Sequence, residues 1–432
     1  MSMEKIKKVL VVNKYHFVSG GAERYFLSIM DAFRKRGIEP IPFSVNYSRT
    51  LPTPYQKYFI EPVVKNGEAK ILNQSPGWKE KLGLAAQAVY NTRARDAVRK
   101  ICEDHRPDIA YFLNFNNHIS PSAIDACSSA GVPAVMRMSD FNLSCASNMY
   151  YRDNHPCQDC KQGLQHAVIH RCVHGSLAKS MMAVFAMSFH RWSGVYRKVS
   201  AFVTPSRFMK QELIGLGFPE AIVHQINTFA EPAEKAPPER EVPYLLYVGR
   251  FARYKGADTA LEAFSRIQNP RGVIFRLMGD EGDEDARRVK EKARALGCRN
   301  VEFLPFERDK EKIIRAIQKS LFMVLPFENY ENLPNAILES FSCGRPVLST
   351  RLGTIPDVVQ EGKYGLLYEY GNIEEFSRKM EWLIDNEPAR EEMGENALAA
   401  LRQDYSEEQH MGKLLSLFDN VKQGRELCQT NP

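Results

Sequence analysis

Short, uninterrupted apolar runs recur through the first half of the chain: Lys8-Val-Leu-Val-Val-Asn13, Ile109-Ala-Tyr-Phe-Leu113, Ala134-Val-Met-Arg-Met138 and Ala201-Phe-Val-Thr204. Runs of this length without polar alternation are the pattern of strands buried on both faces of a parallel sheet. Helical stretches fall between them, the first from about Ala22 to Arg36, so the half reads as a doubly wound α/β domain. Residues 229 to 243 carry four prolines and no apolar period, which marks a linker and a boundary near residue 235. A second series follows at Tyr244-Leu-Leu-Tyr-Val248, Ile274-Phe-Arg-Leu-Met278, Val301-Glu-Phe-Leu304, Leu321-Phe-Met-Val-Leu325 and Pro346-Val-Leu-Ser-Thr350. The expected architecture is two Rossmann-like domains, 1–235 and 240–406, with no repeat of 20 to 50 residues.

Composition agrees with this and narrows the function. The 432 residues exceed one ordinary core, and 44% hydrophobic with 25% charged residues is a globular balance. Mean hydropathy of −0.38 points the same way. A net charge of +6, with no run of five basic residues, gives a nucleic-acid partner no support. The opening apolar run is too short for a signal peptide, and the most apolar stretch, Met181 to Met187, falls well short of the roughly 20 residues that span a bilayer. A cytoplasmic protein is expected, with contact at the inner face of a membrane as a further option.

Two segments of the second half carry chemistry. In Val248-Gly-Arg-Phe-Ala-Arg-Tyr-Lys-Gly256, a strand end is followed by Gly249 and by two cations five residues apart, Arg250 and Lys255, which can converge on one diphosphate. In Phe327-Glu-Asn-Tyr-Glu-Asn-Leu-Pro-Asn-Ala-Ile-Leu-Glu-Ser340, Glu331 and Glu339 would lie about 80° and roughly 12 Å apart on one continuous helix. Pro334 instead places the helix start near Asn332 to Pro334, leaving Glu331 in the preceding loop and Glu339 on the second turn. Free N–H groups from Asn332, Leu333 and Asn335 can then face a sugar or its phosphate, while the carboxylates accept pairs of hydroxyls. In the first half, Gly20 and Gly21 allow the backbone to approach a phosphate closely. No Gly-x-Gly-x-x-Gly stands there, which argues against a dinucleotide oxidoreductase.

The ordered set Gly20-Gly21-Ala22-Glu23, Gly249-Arg250 with Lys255-Gly256, Glu331 with Glu339, and Cys343-Gly-Arg-Pro-Val347 followed by Leu352-Gly-Thr-Ile-Pro-Asp357 resembles retaining glycosyltransferase family 4 over nearly the whole chain. The resemblance implies a GT-B fold, with a UDP- or GDP-linked sugar donor held by the second domain and a saccharide or lipid-linked acceptor mostly by the first. It assigns Arg250 and Lys255 to the diphosphate, Glu331 to hydroxyls of the transferred sugar and Glu339 to the ribose. The cations and backbone amides would offset leaving-group charge, so no catalytic metal is expected. It also implies that the last helix, about 407–425, crosses back to the first domain. Non-catalytic relatives, epimerases and phosphorylases share this architecture and are the alternatives.

Where many relatives carry His-Asp after the strand ending at Met138, this chain has Ser139-Asp140. Asp140 can orient the sugar or the acceptor hydroxyl, and His118, in another strand-end loop, is a second catalytic candidate. Asp283-Glu-Asp285 resembles the Asp-x-Asp metal sites of other glycosyltransferases, but falls in a variable acidic loop. Residues 141–175 form an insertion in which Cys145, Cys157, Cys160 and Cys172 surround one Cys-x-x-Cys, a spacing suited to a structural zinc that orders a loop poor in apolar residues. His155, His166, His170 and His174 are alternative ligands. The stretch from Ser176 to Val199 reads as a helix on the first domain, with shallow contact to a membrane as the other option.

Overall fold

The computed structural model describes residues 5–62, 78–116, 118–234, 242–268, 272–280, 282, 284–307 and 309–424. The first sheet is built from β1 (Lys8–Val12), β2 (Glu39–Phe43), β3 (Ile109–Phe112) and β4 (Ala134–Arg137). After a short antiparallel pair, β5 (Tyr151–Arg152) and β6 (His155–Pro156), it is completed by β7 (Val199–Thr204) and β8 (Val223–Gln225). Its strands are all parallel, in the order β2-β1-β3-β4-β7-β8. The second sheet comprises β9 (Tyr244–Val248), β10 (Ile274–Met278), β11 (Val301–Leu304), β12 (Met323–Leu325), β13 (Val347–Thr350) and β14 (Gly365–Tyr368). It is also parallel, in the order β11-β10-β9-β12-β13-β14.

Each sheet has a core on both faces, which is why its strands are apolar without alternation. Leu10 and Val12 pack on one side with Val98 and Ile101, whereas Val9 and Val11 pack on the other with Phe26 and Phe33. Leu245 and Tyr247 are likewise separated from Tyr244 and Leu246.

The chain crosses between the domains twice. On the outward crossing, Ala230 N donates to Tyr405 O at 2.9 Å and Ala233 N to Ser342 O at 3.0 Å, so the start of the proline-rich segment already lies on the second domain. The expected boundary near 235 falls outside the described residues. On the return, the helix Glu407–Lys422 covers the first sheet with Leu414, Leu417 and Phe418. Glu407 accepts from Lys35 and Arg36 at 2.9 and 2.7 Å, and Lys422 pairs with Asp108 at 2.8 Å. Nearer the cleft, Phe208 N donates to Asp357 at 2.8 Å, and Tyr330 stacks on Phe208 with ring centroids 5.5 Å apart. These contacts bring the carboxyl ends of the two sheets face to face.

Candidate active site in the interdomain cleft

In the second sheet the strand order reverses between β9 and β12, and a ligand crevice opens at such a switch point. The loops leaving these two strands hold most of the basic and acidic residues expected to bind a donor. They are pinned to one another at Gly256, whose φ is +72° and where a Cβ would lie 1.9 Å from Pro326 O. Only glycine meets both demands. Beside this point Lys255 Nζ donates to Glu331 Oε1 at 2.6 Å, a pair mostly screened from water. Arg250 Nη2 donates to Tyr254 Oη at 2.6 Å, and both cations lie within 6 Å of the Tyr254 ring. Arg250 and Lys255 therefore both lie against the Tyr254 ring.

The helix after β12 runs from Asn335 to Ser342 with Pro334 at its cap position, and no side chain caps it. Its first N–H groups thus remain available to an anion. Glu331 is in the loop and Glu339 on the helix. Leu333 packs into the second-domain core. Asn332 reaches across the cleft and donates to Met138 O at 2.8 Å, while its own Oδ1 is buried without a partner. Opposite Asn335 lies the glycine loop of the first domain, where a Cβ on Gly21 would come within 2.7 Å of Asn335 Nδ2. Gly20 is extended, and its carbonyl accepts from Arg24 N at 3.1 Å, starting the helix Gly21–Lys35.

That helix supplies residues which the sequence pattern left unassigned. Arg24 Nη1 bonds Glu339 Oε1 at 3.0 Å across the cleft. Glu23 is buried, its Oε1 has no partner, and burial raises its pKa, with Lys14 acting against the rise. Lys14, at the end of β1, also opposes the rise at Asp140, whose carboxyl is pushed up to about 6, chiefly by burial. Lys14, Glu23 and Asp140 thus form a charged group on the first-domain side. Position within the motif was a signal for Arg24, but nothing in the chain reveals a partner 315 residues away.

His118 lies beside this group in an aromatic cluster, where burial lowers its pKa and Lys14 is close enough to add to the lowering. Its Nδ1 is 3.2 Å from Tyr47 Oη, Tyr15 packs nearby, and burial pushes its pKa down to about 4, so the ring is neutral near pH 7. Ser139 accepts a long hydrogen bond, 3.4 Å, from the buried Arg137. In the acidic loop Asp283 falls outside the described residues, and Asp285 pairs with Arg288, which also holds Asp258 at 3.0 Å.

The insertion gathers its donor atoms in two places. Cys145 and Cys160 face each other, and a hydrogen bond from the Cys160 thiol holds Cys145 down to about 5. Burial raises Cys172, with Cys145 and Cys157 adding to the effect. Among the described residues, the set of three donors lying within 4.8 Å of one another is Asp159, His166 and His170. The four thiols do not form such a set, so a four-sulfur zinc site would require them to draw together.

Residues 228–399 match the family described as glycosyl transferases group 1. The lipopolysaccharide core biosynthesis glycosyltransferase LpsE of Rhizobium meliloti is 29% identical over 169 residues, 39% of this chain and 47% of that protein. The chain thus spans less than half the length of such curated relatives. Similarity to solved structures extends over both domains. A glycosyltransferase from Rickettsia africae superposes with a TM-score of 0.67 at 17% identity, covering 97% of this chain and 99% of the other. HepE of Anabaena, solved with UDP and glucose, gives 0.63 at 16% identity over 95% and 99%. The chain therefore has the GT-B fold, and residues 228–399, which span most of its second domain, are similar to the group 1 glycosyl transferases.

Proposed function

We propose that this protein transfers a sugar from a nucleoside-diphosphate sugar to a hydroxyl acceptor, with retention of configuration, in building a cell-surface polysaccharide or glycoconjugate. The observation that carries this reading is the Lys255–Glu331 pair, 2.6 Å apart at the switch point of the second sheet, just before the helix whose Asn335 meets the glycine loop of the first domain. In the proposed complex Arg250 and Lys255 neutralise the diphosphate, Glu331 turns from Lys255 to hydroxyls of the transferred sugar, and Glu339 takes the ribose. N–H groups of Gly20, Gly21 and the start of helix Asn335–Ser342 add donors to the phosphates. The bond from the anomeric carbon to the diphosphate breaks as one to the acceptor oxygen forms on the same face, and the acceptor proton passes to the departing phosphate oxygen. That route needs no strong base at Ser139, and Asp140 orients the acceptor hydroxyl.

The UDP and glucose held by HepE and the lipopolysaccharide role of LpsE support a donor of this class and a surface-glycan product. We further propose that the insertion holds a structural zinc on Cys145, Cys157, Cys160 and Cys172, a reading supported by their spacing. A non-catalytic binder is the second functional reading, favoured by Ser139 in the position discussed above.

The test combines a thermal-shift screen of UDP, GDP and their sugars with turnover of Lys255→Ala and Glu331→Ala. A native-state ligand raises the melting temperature. Release of free nucleoside diphosphate only when acceptor is present, lost in both variants with the fold retained, is the expected result. Variants that turn over like the parent would remove the assignment.

A further inference from the structure

A large cavity lies away from the donor cleft, under the helix Leu177–Trp192. It measures about 1340 Å³, more than the roughly 300–1,000 Å³ of an ordinary small-molecule site. Its outer walls carry Leu84 and Ala88 of the helix Trp78–Val89, and Met182, Ala183, Ala186 and Met187 of the covering one, with Lys179, His190 and Arg191 toward the ends of that helix. Its sheet-side wall is polar, formed by Asn116 and His118 after β3, Asn142 after β4, and Tyr196. Tyr196 is close enough to Asp140 for that carboxylate to raise its pKa. The cavity therefore runs from an apolar surface helix toward the carboxyl ends of the first sheet, where the acceptor hydroxyl belongs in the reading above.

The covering helix is apolar on both sides. Residues 182, 183, 186 and 187 face the cavity, whereas Leu177, Met181, Phe185 and Trp192 face solvent, with exposures of 47%, 52%, 58% and 84%. Lys179, Ser180, Ser188, His190 and Arg191 interrupt this apolar helix, but its outer face leaves these apolar side chains bare, the pattern of a helix that lies at a membrane interface. Ile169, 66% exposed, extends the patch into the insertion. The charge along the segment that carries it is one-sided. Between Asp159 and Glu212 the sequence contains no acidic residue, while Arg171, Lys179, Arg191 and Arg197 are all exposed. Apolar residues ringed by cations complement an anionic bilayer.

We propose that this helix lies on an anionic membrane and that the cavity beneath it receives the apolar chain of a lipid-linked acceptor, presenting the acceptor's polar head near Asp140. The substrate class rests on the transferase reading, but binding of lipid does not require turnover.

The experiment uses the full chain and two independent probes. Flotation with phosphatidylglycerol–phosphatidylcholine vesicles is compared with phosphatidylcholine alone, for the parent and for Phe185→Glu with Trp192→Ser. Farnesyl phosphate, a short prenyl monophosphate, is titrated by thermal shift into the parent and into Ala186→Trp and Ala183→Leu, which fill the cavity. UDP or GDP shifts run alongside report the donor site. Expected results are flotation only with the anionic lipid, lost in the helix variant, and a farnesyl phosphate shift lost in a filled variant whose nucleotide response is retained. If Ala186→Trp does not fold, Ala183→Leu decides. Equal flotation of the helix variant, no farnesyl phosphate shift in the parent, an unchanged shift in a folded filled variant, or a dimer held together by Phe185 and Trp192 would overturn the proposal. Absence of any nucleotide response would instead count against the donor assignment and leave the lipid result standing.

Discussion

Arg24 of the first domain holds Glu339 of the second at 3.0 Å across the cleft, occupying the carboxylate assigned to the donor ribose. The pair is partly exposed, with side-chain exposures of 35% and 16%, so about 1 kcal/mol bounds its strength. A bound ribose must compete with it. Arg24→Ala should therefore tighten nucleoside diphosphate binding by up to about fivefold, whereas Glu339→Ala should weaken it. Calorimetric titration at low and high salt checks both: salt weakens the attraction of Arg250 and Lys255 for the diphosphate in every variant, but the parent should lose less affinity than Arg24→Ala because the competing Arg24 contact is screened as well. Weaker binding by Arg24→Ala would mean that Arg24 itself contacts the nucleotide.

Lys255 and Glu331 form the pair on which the transferase reading stands, and each has a different task once donor is bound. Lys255→Ala removes charge from the developing diphosphate and should lower kcat by about 10²–10³. Glu331→Gln retains shape and hydrogen bonding but not the charge that orients Lys255, so a smaller loss is expected. Both variants should keep the parent's circular dichroism, because the pair lies at the cleft and not in either core. Steady-state kinetics with the donor identified by thermal shift decides. Equal kcat in all three proteins would exclude the role.

The interior of both sheets was legible because buried parallel strands leave apolar runs with no competing reading. Tyr244–Val248, Ile274–Met278 and Val301–Leu304 occupy the stretches expected from the pattern. The strands that escaped notice, β2, β8 and β14, all lie at sheet edges. β2 reads Glu39-Pro-Ile-Pro-Phe43, and its two prolines are tolerated because an edge strand has N–H groups that need no ladder partner. In the site, the loop position of Glu331 followed from Pro334, a local constraint. The Arg24–Glu339 bond is a product of domain docking, and the buried Glu23 and the reach of Lys14 toward Asp140 arise where strand-end loops of the first sheet meet, and neither leaves a periodic trace in the sequence.

Gly21 and Gly256 should respond differently to the same substitution. At Gly256 a Cβ would strike the Pro326 carbonyl in a left-handed backbone, so Gly256→Ala should destabilise the fold by about 2–3 kcal/mol. At Gly21 the obstacle is the end of the Asn335 side chain on the opposite domain. Gly21→Ala should leave the melting temperature near the parent's while lowering kcat, because it resists close approach of the domains. Adding Asn335→Ala should restore part of the loss. Thermal melts and kinetics on the single and double variants test this, and an unrescued double variant would locate the defect elsewhere.

Burial raises Asp140 from 3.8 to about 6. The folded state thus favours the protonated acid more than the unfolded chain does, so its contribution to stability is present below about pH 4 and lost as pH rises through 6. Asp140→Asn should be more stable than the parent near pH 7, by up to about 3 kcal/mol, and match it more closely near pH 4. If the carboxylate orients the acceptor hydroxyl, kcat/KM for the parent should rise with pH through about 6, and the variant should lose that limb. A variant that keeps both the limb and full activity would exclude Asp140 from acceptor positioning.

The metal content of the insertion follows from which donors a cation can gather. A hydrogen bond from the Cys160 thiol joins it to Cys145. Zinc would displace the thiol protons and draw each sulfur to about 2.3 Å, shifting the loops that carry Cys157 and Cys172. Asp159, His166 and His170 already lie within 4.8 Å of one another, but Asp159 is also held by Arg152 at 3.1 Å, which competes for its charge. The thiolates, being softer donors, are expected to win. Protein purified without chelator should carry one zinc per chain by elemental analysis, and EDTA should lower its melting temperature. Cys157→Ser with Cys160→Ser should release the metal, whereas His166→Ala with His170→Ala should retain it. The reverse pattern would assign the metal to the histidine set, and zinc well below one per chain in the parent would remove it from the insertion altogether.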